Sequence, residues 1–169
     1  MAHGPRYRVT LRRRREGRTD YRSRLALLRS RSTRLVVRKT NNDLVVQFVD
    51  YDETGDRIIA SAKATELRRL GFTGHTGNTS AAFLAGLLAG RRAKKAGVEN
   101  AVLDIGRQAP VAGSRVFAGL AGALEAGVEV PHGEGVLPDE ERVSGAHKGD
   151  GAVSNFNTVK QSILGGGPE

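Results

Sequence analysis

Fourteen cations crowd the stretch from Arg6 to Lys39, thirteen of them arginine, and only Glu16 and Asp20 oppose them. The first forty residues therefore carry +12 while the whole 169-residue chain carries +9, so the remaining 129 residues come to −3. The excess is placed at one end of the chain. Such a charge repels itself unless something anionic neutralises it: nucleic acid, a lipid surface or a polyacidic protein. Arginine's rigid fork matches phosphate oxygens two at a time and stacks on bases, which a lysine point charge does not do. Tyr7 and Tyr21 lie among the arginines, and aromatic faces between cations suit bases splayed from a folded RNA. The expected chemistry is phosphate neutralisation by Arg6, Arg8, Arg12, Arg13, Arg14, Arg15, Arg18, Arg22 and Arg24, with Tyr7 and Tyr21 stacking on bases. A solubilising tail would carry the same charge but would need no apolar stripe, and this stretch has one.

Three further groups can bind an anion. In Gly71-Phe72-Thr73-Gly74-His75-Thr76-Gly77-Asn78-Thr79 a glycine-spaced loop opens a long helix. Glycine lets a phosphate approach the backbone, and a helix N-terminus offers free amide hydrogens. His75, Thr76, Gly77, Asn78 and Thr79 are the candidates there, against the plainer reading of a cap and a loop. Arg38, Lys39, Asn41 and Asn42 crowd a hairpin turn, where they either touch RNA or keep the turn soluble. Arg115 stands in the first turn of a helix, where a cation opposes the dipole. A phosphate or an acidic side chain nearby would explain it.

Catalysis fits poorly. A metal-dependent nuclease needs two or three carboxylates converging on divalent cations. Asp104 at a strand end is suitable, but Asp43, Asp50, Asp52 and Asp56 lie in or beside turns, and the helix over residues 81–96 contains no acid. His3, His75, His132 and His147 are scattered without ligand spacing, and there is no cysteine, so neither a zinc site nor a disulfide is expected. Gly71, Gly74 and Gly77 are spaced by threes, which is not a phosphate-loop or dinucleotide fingerprint. Asn78-Thr79-Ser80 matches a glycosylation acceptor, but the N-terminus has no apolar stretch that would make it a secretory signal. No cofactor or small-molecule substrate is expected.

The elements that must position these residues can be read in order. Residues 1–18 have no hydrophobic period and read as an extended arm. Thr19 or Asp20 caps a helix in which Tyr21, Leu25 and Leu28 fall at i, i+4 and i+7, one docked stripe with Arg22, Arg24 and Arg29 left free. The runs 34–39, 44–51 and 57–62, separated by Thr40-Asn41-Asn42-Asp43 and Asp52-Glu53-Thr54-Gly55-Asp56, form an antiparallel meander. Lys63 to Leu70 reads as a short helix closed by Gly71. A long helix follows with Phe83, Leu84, Leu87 and Leu88 as its stripe and Gly97 as its stop. Gly86 and Gly90 inside it each cost about 1 kcal/mol against alanine, for which close packing on a sheet is the expected compensation. The run 101–105 reads as a strand covered on both faces. Ser114 caps a helix with Phe117, Leu120 and Leu124 inward, and residues 128–130 read as a last short strand.

The predicted fold is α/β: a mixed sheet, built from a three-strand meander plus a further strand, with packed helices, a basic N-terminal arm and an extended C-terminal tail. The predicted organisation is an arm with its helix over 1–33, an α/β domain over 34–130 and an extension over 131–169. That extension is poor in apolar residues and is expected to be ordered by partners. At 38% apolar residues the chain suffices for one core. The segment 81–89 is too short for a bilayer, so no membrane partner and a cytoplasmic location are expected.

In their order and spacing these residues resemble the large-subunit ribosomal protein eighteen family in its archaeal form. The resemblance rests on the arginine arm with Thr19-Asp20-Tyr21-Arg22 and on Gly77-Asn78-Thr79 leading into Ala81-Ala82-Phe83-Leu84-Ala85-Gly86-Leu87-Leu88. It continues through Val102-Leu103-Asp104-Ile105-Gly106, then Gly113-Ser114-Arg115-Val116-Phe117-Ala118 and Ala126-Gly127. It runs from about Gly4 to His147, and Lys148 stands where an apolar residue would fit the family's pattern. The resemblance implies a non-catalytic protein that binds 5S ribosomal RNA and helps build the central protuberance. Large-subunit ribosomal RNA and neighbouring ribosomal proteins would be its other partners.

Overall fold

A computed structural model describes residues 4–165; His3 and the last four residues of the tail lie outside the described residues. Valine- and leucine-rich runs form β1 (Arg34–Lys39) and β2 (Leu44–Asp50), paired antiparallel from Arg34 opposite Val49 to Lys39 opposite Leu44. β3 (Arg57–Lys63) extends the meander along β2 with a bulge at Phe48 and Val49. β4 (Val102–Asp104) joins β1 in parallel, giving the order β3-β2-β1-β4. The mixed four-strand sheet is the one predicted. Residues 128–130 supply less than a strand: a single parallel bridge joins Glu129 to Asn100.

Strand side chains alternate between faces. Leu35, Val37, Leu44, Val46 and Phe48 point to a helical layer and are fully buried or nearly so. That layer is α3 (Thr79–Lys95) and α4 (Arg115–Glu125). The two helices touch through glycine. A Cβ on Gly86 would overlap the Gly119 carbonyl oxygen, and one on Gly122 would overlap that of Phe83. The compensation for Gly86 and Gly90 is therefore helix-on-helix contact and not the sheet contact expected from sequence. Lys63 leads into a 3₁₀ helix, Ala64–Leu70, closed by Gly71 at φ +87°.

The C-terminal segment has more to bury than its composition suggests. Val143 on α5 (Glu140–Ser144) and Phe156, Val159 and Ile163 on α6 (Asp150–Leu164) join the core. Phe156, Val159 and Ile163 fall at i, i+3 and i+7, a sparse stripe that low apolar content conceals. The Phe156 ring lies 5.7 Å from that of Phe83, and Lys160 pairs with Glu125 at 2.6 Å. Asn155 accepts from the Thr73 amide at 3.1 Å and donates to the Gly71 carbonyl at 2.8 Å.

Gly86→Ala tests the helix contact. Alanine is worth about 1 kcal/mol to an isolated helix, but overpacking a close contact costs about 1–3 kcal/mol. Urea unfolding followed by circular dichroism should give a lower midpoint, where an exposed helix glycine would give a higher one.

Candidate nucleic-acid interface

The second face of the sheet carries charge. Arg34, Val36 and Arg38 alternate with the core residues of β1 and so point away from α3 and α4. Arg34 is 2% exposed and reaches two carboxylates, Asp104 at 3.1 Å and Asp56 at 2.7 Å. Arg38 donates to Asp104 Oδ1 at 2.7 Å and to its carbonyl at 2.6 Å. Asp104 Oδ1 also accepts the Gly106 amide, so both its oxygens are occupied. Held by two guanidiniums and an amide, Asp104 is a structural ligand of arginine.

Asp56 carries the network to the arm. It accepts Arg24 of α2 (Tyr21–Arg29) at 2.8 and 2.9 Å. Arg24 is therefore not left free as the sequence reading has it, and α2 docks by an ion pair together with its half-buried Tyr21, Leu27 and Leu28. Leu25, predicted in the stripe, is 55% exposed. Partial burial pushes the Asp56 carboxyl up, but hydrogen bonds from Arg34 and Arg24 outweigh it and hold the pKa below the usual value. Asp20 caps α2, accepting the amides of Arg22 and Ser23 at 2.9 and 3.3 Å. The Ser23 hydroxyl and these amides hold its carboxyl low as well.

Before α2, the arm is open. Residues 4–18 are exposed throughout, Tyr7 among them. Arg12–Arg15 coil into one helical turn, α1, within the stretch read as extended. Glu16 serves Arg18 at 3.2 Å and Arg12 at 3.9 Å, and Arg13 donates to Thr19 at 2.8 Å. Arg6, Arg8, Arg14, Arg15 and Arg22 have no carboxylate partner among the described residues. Arg107, which no sequence pattern singles out, stands against Gly17 and contributes to the field at Asp20. The loop after β4 thus adds one cation to the arm.

A second cluster assembles at the other end of β1. The Thr76 hydroxyl, buried, donates to the Asn42 carbonyl at 2.5 Å, and a Cβ on Gly77 would lie 2.5 Å from the Asn41 carbonyl oxygen. Hairpin turn and glycine loop are therefore one surface, with Lys39, Asn41, Asn42 and His75 exposed on it. The Gly77 amide donates to His75 Nδ1 at 3.0 Å, so it is not the free donor that sequence suggested. Asn78 caps α3 by accepting the Ala81 amide at 2.6 Å, and Thr79 begins the helix. Arg115 donates to the carbonyls of Thr40 at 3.2 Å and Gly77 at 2.7 Å. Two backbone carbonyls hold its guanidinium, and no acidic side chain pairs with it among the described residues.

The family model of ribosomal large subunit proteins 60S L5 and 50S L18 matches residues 5–100, which span the arm, the meander, the glycine loop and α3. The chain belongs to this family. It is 51% identical over 147 residues to the large ribosomal subunit protein uL18 of Methanothermobacter thermautotrophicus, covering 87% of this chain and 77% of that one. Against the large ribosomal subunit protein uL18 of Methanococcoides burtonii it is 49% identical over 169 residues, 97% of this chain and 98% of that one. It is thus a non-enzymatic, structural protein of the large ribosomal subunit in the cytoplasm. Its partners are ribosomal RNA and other ribosomal proteins. No helix among the described residues is long and apolar enough to cross a membrane.

The charge network makes two predictions for this ribosomal protein. Asp104→Ala leaves the buried Arg34 with one carboxylate fewer and should cost about 3–5 kcal/mol in urea unfolding. The lowered pKa of Asp56 contributes stability that is complete above the ordinary carboxylate value of about 3.9 and lost as pH falls through the folded one. Unfolding midpoints measured from pH 6 to 2 should fall less steeply for Asp56→Asn than for the wild type.

Proposed function

We propose that this protein binds 5S ribosomal RNA and joins it to the large-subunit ribosomal RNA in the central protuberance. What supports the reading is the arm: a run of exposed arginines anchored at one end by a buried ion-pair network and lacking protein carboxylates along most of its length. Arg6, Arg8, Arg14, Arg15 and Arg22 neutralise phosphates directly, and Arg12, Arg13 and Arg18 join them by exchanging weak surface contacts for phosphate oxygens. Tyr7 stacks on a base. Tyr21, half-buried, contacts RNA only by its exposed edge. Arg24 and Arg38 act mainly by holding the arm on the sheet. Lys39, Asn41, Asn42, His75 and Thr79 meet RNA at the hairpin surface, which Thr76, Gly77, Asn78 and Arg115 shape from behind.

Recognition rests on RNA shape, because paired RNA buries its base edges in a deep, narrow groove. Competition between 5S RNA, an unrelated structured RNA and duplex DNA checks this. A clear preference for 5S RNA is expected, and equal binding to all three would point to a general accessory role. If about 6–10 phosphates are neutralised, affinity should drop roughly 10³–10⁵-fold between 50 and 200 mM salt. Removing residues 1–18 should flatten that dependence, and an unchanged slope would discard the arm.

A further inference from the structure

A cleft of about 410 Å³ opens between the first residues of α3 and α4, beneath the C-terminal segment. Asn78 caps only the third amide of α3, so the amides of Thr79 and Ser80 have no acceptor within the helix. Ser114 occupies the cap position of α4, yet its side chain makes no capping bond. Two buried hydroxyls in the lining are without partners. Ser80 is 7% exposed and its hydroxyl makes no hydrogen bond among the described residues, and Ser114 Oγ is buried with none. Lys39, Arg142 and Lys148 stand around the same cleft, none with a carboxylate partner among the described residues, and no acidic residue lines it. Two helix N-termini and three cations favour an anion, and two unpartnered hydroxyls stand free to donate to it.

We propose that this cleft seats one phosphate of the RNA backbone, held by the N-termini of α3 and α4 and the Ser80 and Ser114 hydroxyls, and neutralised by Lys39, Arg142 and Lys148. The proposal rests on the RNA-binding reading above and adds a site to it. A phosphodiester fits better than a protein carboxylate because its tetrahedral oxygens accept from donors on several sides, and here the donors come from three parts of the chain. Lys39 also continues directly into the hairpin surface, so an RNA strand crossing that surface passes the cleft. Arg142 and Lys148 give the C-terminal segment a part in binding that its composition did not announce, and Lys148 gains a reason to be charged.

Ser114→Asp in the full chain tests the site. Aspartate is among the best N-cap residues, so the variant should melt no lower than wild type while its carboxylate occupies the phosphate position. Titrating inorganic phosphate should shift the backbone amide resonances of Thr79, Ser80, Arg115 and Val116 saturably in wild type and not in Ser114→Asp. RNA affinity measured across salt concentrations should lose about one phosphate's worth of slope in the variant. Phosphate ethylation of the RNA should reveal one position that weakens wild-type binding and leaves the variant's unchanged. An unchanged slope with no such position overturns the proposal. Loss of the phosphate shifts with intact RNA binding also overturns it, and would assign the cleft to another anion such as an acidic peptide. Should Ser114→Asp not fold, the double variant Arg142→Glu with Lys148→Glu gives the same readouts. A failed 5S preference strikes the functional reading alone, since the titration and the ethylation pattern can be read on any RNA the protein holds.

Discussion

A guanidinium taken out of water costs several kcal/mol unless carboxylates and hydrogen bonds replace its hydration. Arg34 is in that position, 2% exposed at the start of the inner strand β1, and the structure around it is arranged accordingly. Asp104 comes to it from β4 by parallel pairing, and Asp56 from the turn between β2 and β3. Each carboxylate then holds a second arginine, Arg38 or Arg24. Of the three guanidinium nitrogens of Arg34, Nε is the one without a partner among the described residues. Because buried pairs often add little net stability, the network's main contribution is position: it specifies where α2 sits on the sheet, and hence where the arm begins.

That anchor explains how a strongly basic segment belongs to a near-neutral body. One face of the sheet is covered by α3 and α4 through apolar packing and glycine contacts. The other face is closed by ion pairs, whose spare guanidinium groups continue into the arm. Charge on the arm is therefore graded. Arg34 is internal, Arg24 and Arg38 are shared between carboxylates and surface, and the residues before Asp20 are exposed. A polyanion meeting this gradient is drawn to the outer end, where cations have the fewest competing partners.

At the opposite end of β1 no ion pair holds the surface among the described residues, and the one carboxylate in the turn, Asp43, accepts backbone amides. That surface is built from backbone carbonyls that accept from Thr76 and Arg115, so the hairpin and the glycine loop keep a fixed relation. Arg115 illustrates the difference between composition and geometry. Its position at a helix start opposes the dipole in one dimension, and in three its guanidinium is also a clamp between two loops. Asp104 is the parallel case among acids, a strand-end carboxylate whose oxygens are already taken by arginine and amide donors.

Local patterns were enough to read the meander, the long helix after Asn78, the basic arm and the family, because alternation, capping residues and charge runs act over a few positions. Tyr21 at a helix start and Gly97 at a helix end follow from such rules alone. What a single strand of text does not carry is which groups meet across the fold. Nothing near Arg24 announces Asp56, nothing near Gly86 announces Gly119, and Phe156, Val159 and Ile163 are too thinly spread to advertise a buried face. Those pairings depend on the parallel placement of β4 and the crossing of α3 with α4, contacts between residues tens of positions apart. Charge could be counted along the chain, but whether each cation faces solvent or a carboxylate was settled by packing.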